Sequence, residues 1–105
     1  MTKQEIDILH DSFCKIKEYV NKYGKNNYRV QLRFIDELLN SLEEESTNDN
    51  KQENNIVYFY SILYPPYGGL SDFYIPHSDY KTRIKLNKPL NEINDRVWEI
   101  MKLYI

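Results

Sequence analysis

The feature that most constrains this chain is the stretch Tyr64-Pro65-Pro66-Tyr67-Gly68-Gly69-Leu70-Ser71-Asp72-Phe73-Tyr74-Ile75. Adjacent prolines cannot sit inside a helix, because Pro66 has no N–H and drives Pro65 out of the α region. Gly68-Gly69 then admits positive φ, so a sharp reversal is expected there, with Ser71 placed to complete the turn. Leu70, Phe73 and Ile75 are apolar enough to pin the segment onto a core. Whatever precedes Pro65 must therefore end, and whatever follows Ile75 must begin afresh. Two uses are open for such a loop: a structural return folded onto helices, or a binding loop presented by a rigid scaffold.

The segments on either side read as helices. From Thr2 to Tyr23 the residues Ile6, Leu9, Phe13, Ile16, Val20 and Tyr23 recur in alternating steps of three and four, a stripe on one helical face that stops at Gly24. Thr2 and Glu5 have the spacing of a capping box. Gly24 to Asn27 reads as a turn, with Asn27 as the cap of a second helix carrying Tyr28, Leu32, Ile35, Leu38, Leu39 and Leu42 to about Glu45. A connection that short makes the two helices antiparallel neighbours.

Ser46 to Asn55 is polar and Asn-rich, and a flexible loop is expected. Ile56 to Leu63 has the length and β-branched content of a strand, yet Ile56, Phe59, Tyr60 and Leu63 also make a helical stripe. The spacing favours a buried helix starting between Gln52 and Asn55 and ending at the prolines. Pro76 to Lys85 is polar, with room for a helical turn after Ser78 or Asp79. A last helix is expected to open at Asn87 as cap, with Pro89 in its first turn. Its apolar face is Leu90, Ile93, Val97, Ile100, Met101 and Tyr104, and Trp98 lies beside that stripe. The expected fold is mainly α: one domain, a bundle of about four helices with the Pro/Gly/Tyr-rich loop packed on one end.

Composition limits the function classes. The 105 residues suit one domain, and 41% hydrophobic with 29% charged content suits a folded chain. A net charge of −2 disfavours duplex nucleic acid as a partner. The single cysteine, Cys14, excludes an internal disulfide or a cysteine-built zinc site and reads as an inert thiol. Met-Thr-Lys-Gln-Glu is followed by no apolar leader and no run reaches membrane-span length, so a cytoplasmic protein without a membrane partner is expected.

Of the two histidines, His10 falls on the polar flank of the first helix and is expected in solvent. His77, near Asp72 and Asp79, reads either as an acid–base or metal cluster or as an ordinary polar loop. No phosphate loop and no nucleophile–base pair emerges, so no enzyme, metal or cofactor is expected. The strongest charge signal is the block Asp36, Glu37, Glu43, Glu44, Glu45, Asp49 and Glu53, opposed only by Lys51. It reads as a solvated face or as the footprint of a basic partner. A smaller basic cluster, Lys81, Arg83, Lys85 and Lys88, follows the loop.

The segment Leu63 to Ile75, followed by Asn87-Lys88-Pro89-Leu90 and a closing helix, resembles small bacterial proteins that look like immunity proteins encoded beside toxins. Gly68, Gly69, Ser71 and Asp72 match the shared motif, whereas Tyr-Pro-Pro before the glycines and Leu70 after them depart from it. The resemblance implies a binder that occludes a cognate toxin domain. A basic nuclease domain would suit the acidic block, with Tyr67, Asp72 and Tyr74 as further contacts and exposed Tyr and Trp residues as anchors. A helical homo-oligomeric scaffold is the alternative, and the oligomeric state is left open.

Overall fold

A computed structural model describes residues 1–24, 26–44 and 49–105, residue 49 by its backbone only. Four helices account for most of it: α1 (Lys3–Tyr23), α2 (Arg29–Glu43), α3 (Asp49–Leu63) and α4 (Tyr80–Met101). A single 3₁₀ turn, Gly69–Asp72, interrupts the segment between α3 and α4. There is no strand among the described residues, so Ile56–Leu63 is helical. Among the described residues, no helix is long and apolar enough to cross a membrane.

α1 packs against both α2 and α4, and α2 packs against α3. The side-chain pairs His10–Glu43 and Lys17–Asp36 show that α1 and α2 are antiparallel: seven residues forward on one helix is seven back on the other. The Tyr104 hydroxyl donates to Glu5 at 2.6 Å, which sets the end of the chain beside the start of α1 and runs α4 antiparallel to it. The core is the meeting of the apolar stripes: Leu9, Phe13, Ile16 and Val20 of α1, Ile35, Leu38 and Leu42 of α2, Ile56 and Leu63 of α3, Leu90, Val97 and Met101 of α4. Ile6, at the start of the α1 stripe, is only partly buried. The Thr2–Glu5 capping box forms, with Thr2 N donating to Glu5 at 2.7 Å and Glu5 N donating to the Thr2 hydroxyl at 3.1 Å.

Three boundaries differ from the sequence expectation, each for a physical reason. α3 starts at Asp49, so the part of the expected flexible loop from Asp49 to Asn55 is helical, while Ser46 to Asn48 lie outside the described residues. Gln52 explains the early start. It lies one turn ahead of Ile56 on the inward stripe, is buried, and donates through Nε2 to the carbonyls of Ser41 and Glu44, both at 3.1 Å. These carbonyls belong to the end of α2, where helical acceptors lack helical donors.

α4 starts at Tyr80, not Asn87. Asp79 is its cap, accepting from Thr82 N at 2.9 Å and from the Thr82 hydroxyl at 2.6 Å. Pro89 is therefore interior, and the helix continues through it although no N–H is there for the Lys85 carbonyl. At the start of α2, Tyr28 rather than Asn27 occupies the cap position and makes no side-chain cap bond. Its ring packs edge-on against Phe73, with centroids 5.2 Å apart, so packing onto the loop sets that boundary.

Candidate functional site

The Tyr64–Ile75 segment crosses the end of the bundle formed by the α1–α2 turn, the end of α3 and the start of α4. Gly68 and Gly69 both hold positive φ, 78° and 66°. At Gly69 a side chain is excluded as well: a Cβ would lie 2.6 Å from the Leu63 carbonyl oxygen and 2.6 Å from Pro65 Cδ. The chain thus folds back over the last turn of α3 more closely than any side chain permits. Leu70, Phe73 and Ile75 are buried and anchor the return. Beyond them the extended backbone is fastened by Asn87, whose Oδ1 accepts from Ile75 N at 2.7 Å and whose Nδ2 donates to Ile75 O at 2.9 Å.

The anchoring leaves the remaining side chains outside. Tyr67 is 92% exposed, Tyr74 is 58% exposed, and Ser71 and Asp72 are exposed with them. Next to Tyr74 a groove runs along α4, lined by Arg83, Ile84, Asn87 and Asn91. Tyr80 stands beside it with the Arg83 guanidinium 5.4 Å from its ring centroid. The loop and this groove form one continuous surface rich in aromatic and polar groups, carried by the anchored loop and the first turns of α4.

The acidic block is less open than its composition suggests. Asp36 pairs with Lys17 at 2.7 Å, and the bond also pushes the lysine pKa up. Glu43 meets His10 at 2.8 Å, and Glu53 meets the Met1 amino group at 2.9 Å. Glu37 and Glu44 are exposed, while Glu45 and the Asp49 side chain lie outside the described residues. Among the described residues of the block, Glu37 and Glu44 are the exposed carboxylates outside these pairs.

His77 is engaged locally, its Nδ1 accepting from Asp79 N at 3.0 Å. The Asp79 carboxyl is held below the usual carboxylate range, chiefly by the Thr82 hydroxyl and then by the Thr82 N–H. Both residues thus serve the start of α4. Among the described residues, no three His, Cys, Asp or Glu side chains are placed to hold a metal.

One arrangement escaped the sequence reading. His10 is partly buried rather than solvent-exposed, with Nε2 2.8 Å from Glu43 Oε1 and Nδ1 3.8 Å from Cys14 Sγ. The i, i+4 spacing of His10 and Cys14 was the available signal; Glu43 joins only through the α1–α2 register. The thiol–imidazole–carboxylate order has the outline of a nucleophile, its base and an orienting group. The thiol, however, is held protonated: burial is the main cause that pushes its pKa up, followed by the charges of Glu43 and Asp11. With the ring proton on Nε2, His10 donates to Glu43 and accepts from the thiol, which ties α1 to α2.

No protein-family model, curated protein or solved structure matches this chain.

Proposed function

We propose that this chain is an immunity protein: a non-enzymatic, cytoplasmic inhibitor that binds a toxin domain and occludes it. The observation that carries the reading is Tyr67, 92% exposed on a loop whose neighbours are anchored by the core and by Asn87. An aromatic ring held out on a fixed backbone loses little conformational entropy on binding, which is the physical basis of a hot spot. Tyr74 and Tyr80 extend the same surface. Glu37 and Glu44 supply negative potential that steers a basic domain, such as a nuclease, toward the bundle. Gly68, Gly69, Ser71 and Asp72, the residues on which the resemblance to immunity-like proteins rests, fall in this loop.

The test is to ask whether a toxin-like domain is encoded beside this chain and, where one is, to co-express the two and measure binding by calorimetry on the purified proteins. Tyr67→Ala with Tyr74→Ala is expected to weaken binding at least about tenfold, the scale of one modest hot spot. Glu37→Lys with Glu44→Lys is expected to slow association, most of all at low salt. Protection and affinity unchanged in both double variants would defeat the reading.

A second reading is a homo-oligomeric scaffold. Leu103 and Ile105 favour it, 66% and 61% exposed just beyond α4. Light scattering over a concentration series separates the two, because a scaffold associates with itself in the absence of any partner.

A further inference from the structure

α3 and α4 flank a seam that the Tyr64 hydroxyl and the Asn94 side chain bridge. The open seam between them is a cleft of about 370 Å³, lined by Tyr60 and Tyr64 of α3, Ser71 of the loop, and Asn94, Asp95 and Trp98 of α4. We propose that this cleft receives an arginine side chain of the protein partner, its guanidinium laid on the aromatic faces and bonded to Asp95. The inference rests on the reading of the chain as a partner-binding protein and names the chemistry by which it would grip.

Three features of the cleft select this occupant. Its walls are aromatic: Tyr60 and Tyr64 stack with centroids 4.8 Å apart, and Trp98 is 48% exposed across from them. Among the described residues its lining carries one carboxylate and no cationic side chain. The faces of Trp and Tyr attract cations, and a planar guanidinium stacks on them better than an ammonium. Asp95 is three residues before Trp98, so the carboxylate and the indole are neighbours on one face of α4.

The walls are also fixed before anything binds. The Tyr64 hydroxyl donates to Asn94 Oδ1 at 2.8 Å, bridging the seam and holding a ring from one helix against a polar group of the other. Burial, and then the neighbouring Tyr60, push the Tyr64 pKa up, so the phenol stays a neutral donor. Ser71 belongs to the same loop as Tyr67, which makes the cleft continuous with the surface described above. A partner that covers the loop would reach the cleft without a second docking event.

Trp98 is the only tryptophan in the chain, so its emission reports on the cleft directly. The probe is the blocked peptide acetyl-Gly-Arg-Gly-amide, compared with its lysine, leucine and citrulline counterparts, citrulline being the uncharged isostere. The arginine peptide is expected to change Trp98 emission saturably and to bind several-fold more tightly than the citrulline peptide. Asp95→Asn is expected to erase that preference while leaving the melting temperature unchanged.

Equal responses to arginine and citrulline, or a tighter fit for leucine, would overturn the inference. So would emission that changes with protein concentration alone, because the cleft would then be taken by a second copy. With the toxin domain in place of the peptide, binding that is indifferent to Asp95→Asn and silent in Trp98 emission overturns the cleft but leaves the inhibitor reading standing. A toxin domain that does not bind defeats the inhibitor reading, while the peptide titration still decides the chemistry of the cleft.

Discussion

Asn87 treats the backbone of Ile75 as a neighbouring strand would, accepting from its N–H at 2.7 Å and donating to its carbonyl at 2.9 Å. The same amide also donates to Arg83 O at 2.8 Å, one turn back along α4. Ile75 is buried, so its backbone groups have little access to water as a substitute. Asn87→Ala is expected to cost about 2–3 kcal/mol, the sum of bonds worth about 1 kcal/mol each. Asn87→Asp keeps one acceptor and loses both donors, and should recover little of it. Chemical denaturation measures both; a loss under about 0.5 kcal/mol would mean that Leu70 and Phe73 hold the loop unaided.

The two loop glycines are expected to respond unequally to alanine. Gly68→Ala meets mainly backbone strain, since its Cβ would come no nearer than 3.8 Å to Asp72 Oδ2. Strain at such φ costs about 1–3 kcal/mol. Gly69→Ala adds a collision with the Leu63 carbonyl and Pro65, both at 2.6 Å, and should destabilise clearly more. Equal melting temperatures for the two variants would contradict this geometry.

Ser12 is buried in α1, and its hydroxyl has no hydrogen-bond partner among the described residues. Removing an unsatisfied buried hydroxyl returns its desolvation cost, about 1 kcal/mol or more. Ser12→Ala should therefore raise the melting temperature by about 4–8 °C, the shift that 1 kcal/mol gives in a chain of this size. Ser41→Ala is the control for helix propensity, since the Ser41 hydroxyl already donates to Glu37 O at 3.1 Å. A gain no larger than the control's would mean that the Ser12 hydroxyl finds a partner.

Acid should loosen the joint between the start of α1 and the residues after α4. The Tyr104 hydroxyl is the main cause that lowers the Glu5 pKa, followed by the Thr2 N–H. A carboxyl with a lowered folded pKa stabilises fully above its ordinary value, 4.5 for Glu, and that contribution is lost as pH falls through the lower folded one. Glu5→Gln should therefore flatten the stability profile as pH falls below that ordinary value. The partner group behaves in the opposite sense, with the Tyr104 pKa pushed up to about 12 chiefly by the bond to Glu5. Its contribution lasts to high pH and fades as pH rises through that value. A Glu5→Gln profile that still falls as steeply in acid would show that other carboxylates dominate.

The elements with local signals were legible, and those defined by distant contacts were not. The α1 stripe, its capping box and the antiparallel α1–α2 pair follow from spacing within single segments. The start of α3 depends on Gln52 reaching the carbonyls that end α2, a bond no local pattern encodes. Asn87-Lys88-Pro89 carries a proper helix-start signal, yet the Asn87 side chain goes to Ile75, and Asp79 caps instead. At the surface, composition overstated the acidic block because it could not show that Asp36 and Glu43 face Lys17 and His10. The α3–α4 cleft was invisible for a similar reason. Tyr60 read as part of a buried run, Tyr64 as the first residue of the loop and Trp98 as an off-stripe residue, and only the helix arrangement brings them together.

Pro89 divides α4 into parts with different debts to the core. Every buried residue of the helix, from Leu90 to Met101, comes after it, and Tyr80 to Lys88 contributes none. The early turns are held by the Asp79 cap and Asn87, and they lack the backbone bond that Pro89 cannot donate. We expect them to behave as a separate cooperative unit that opens and recloses while the bundle stays folded. Amide hydrogen exchange from Lys81 to Lys88 should accordingly run well ahead of exchange from Leu90 onward. The surface that carries Tyr74, Tyr80 and Ile84 would then have a lifetime of its own, set by a handful of polar bonds rather than by the unfolding of the whole protein.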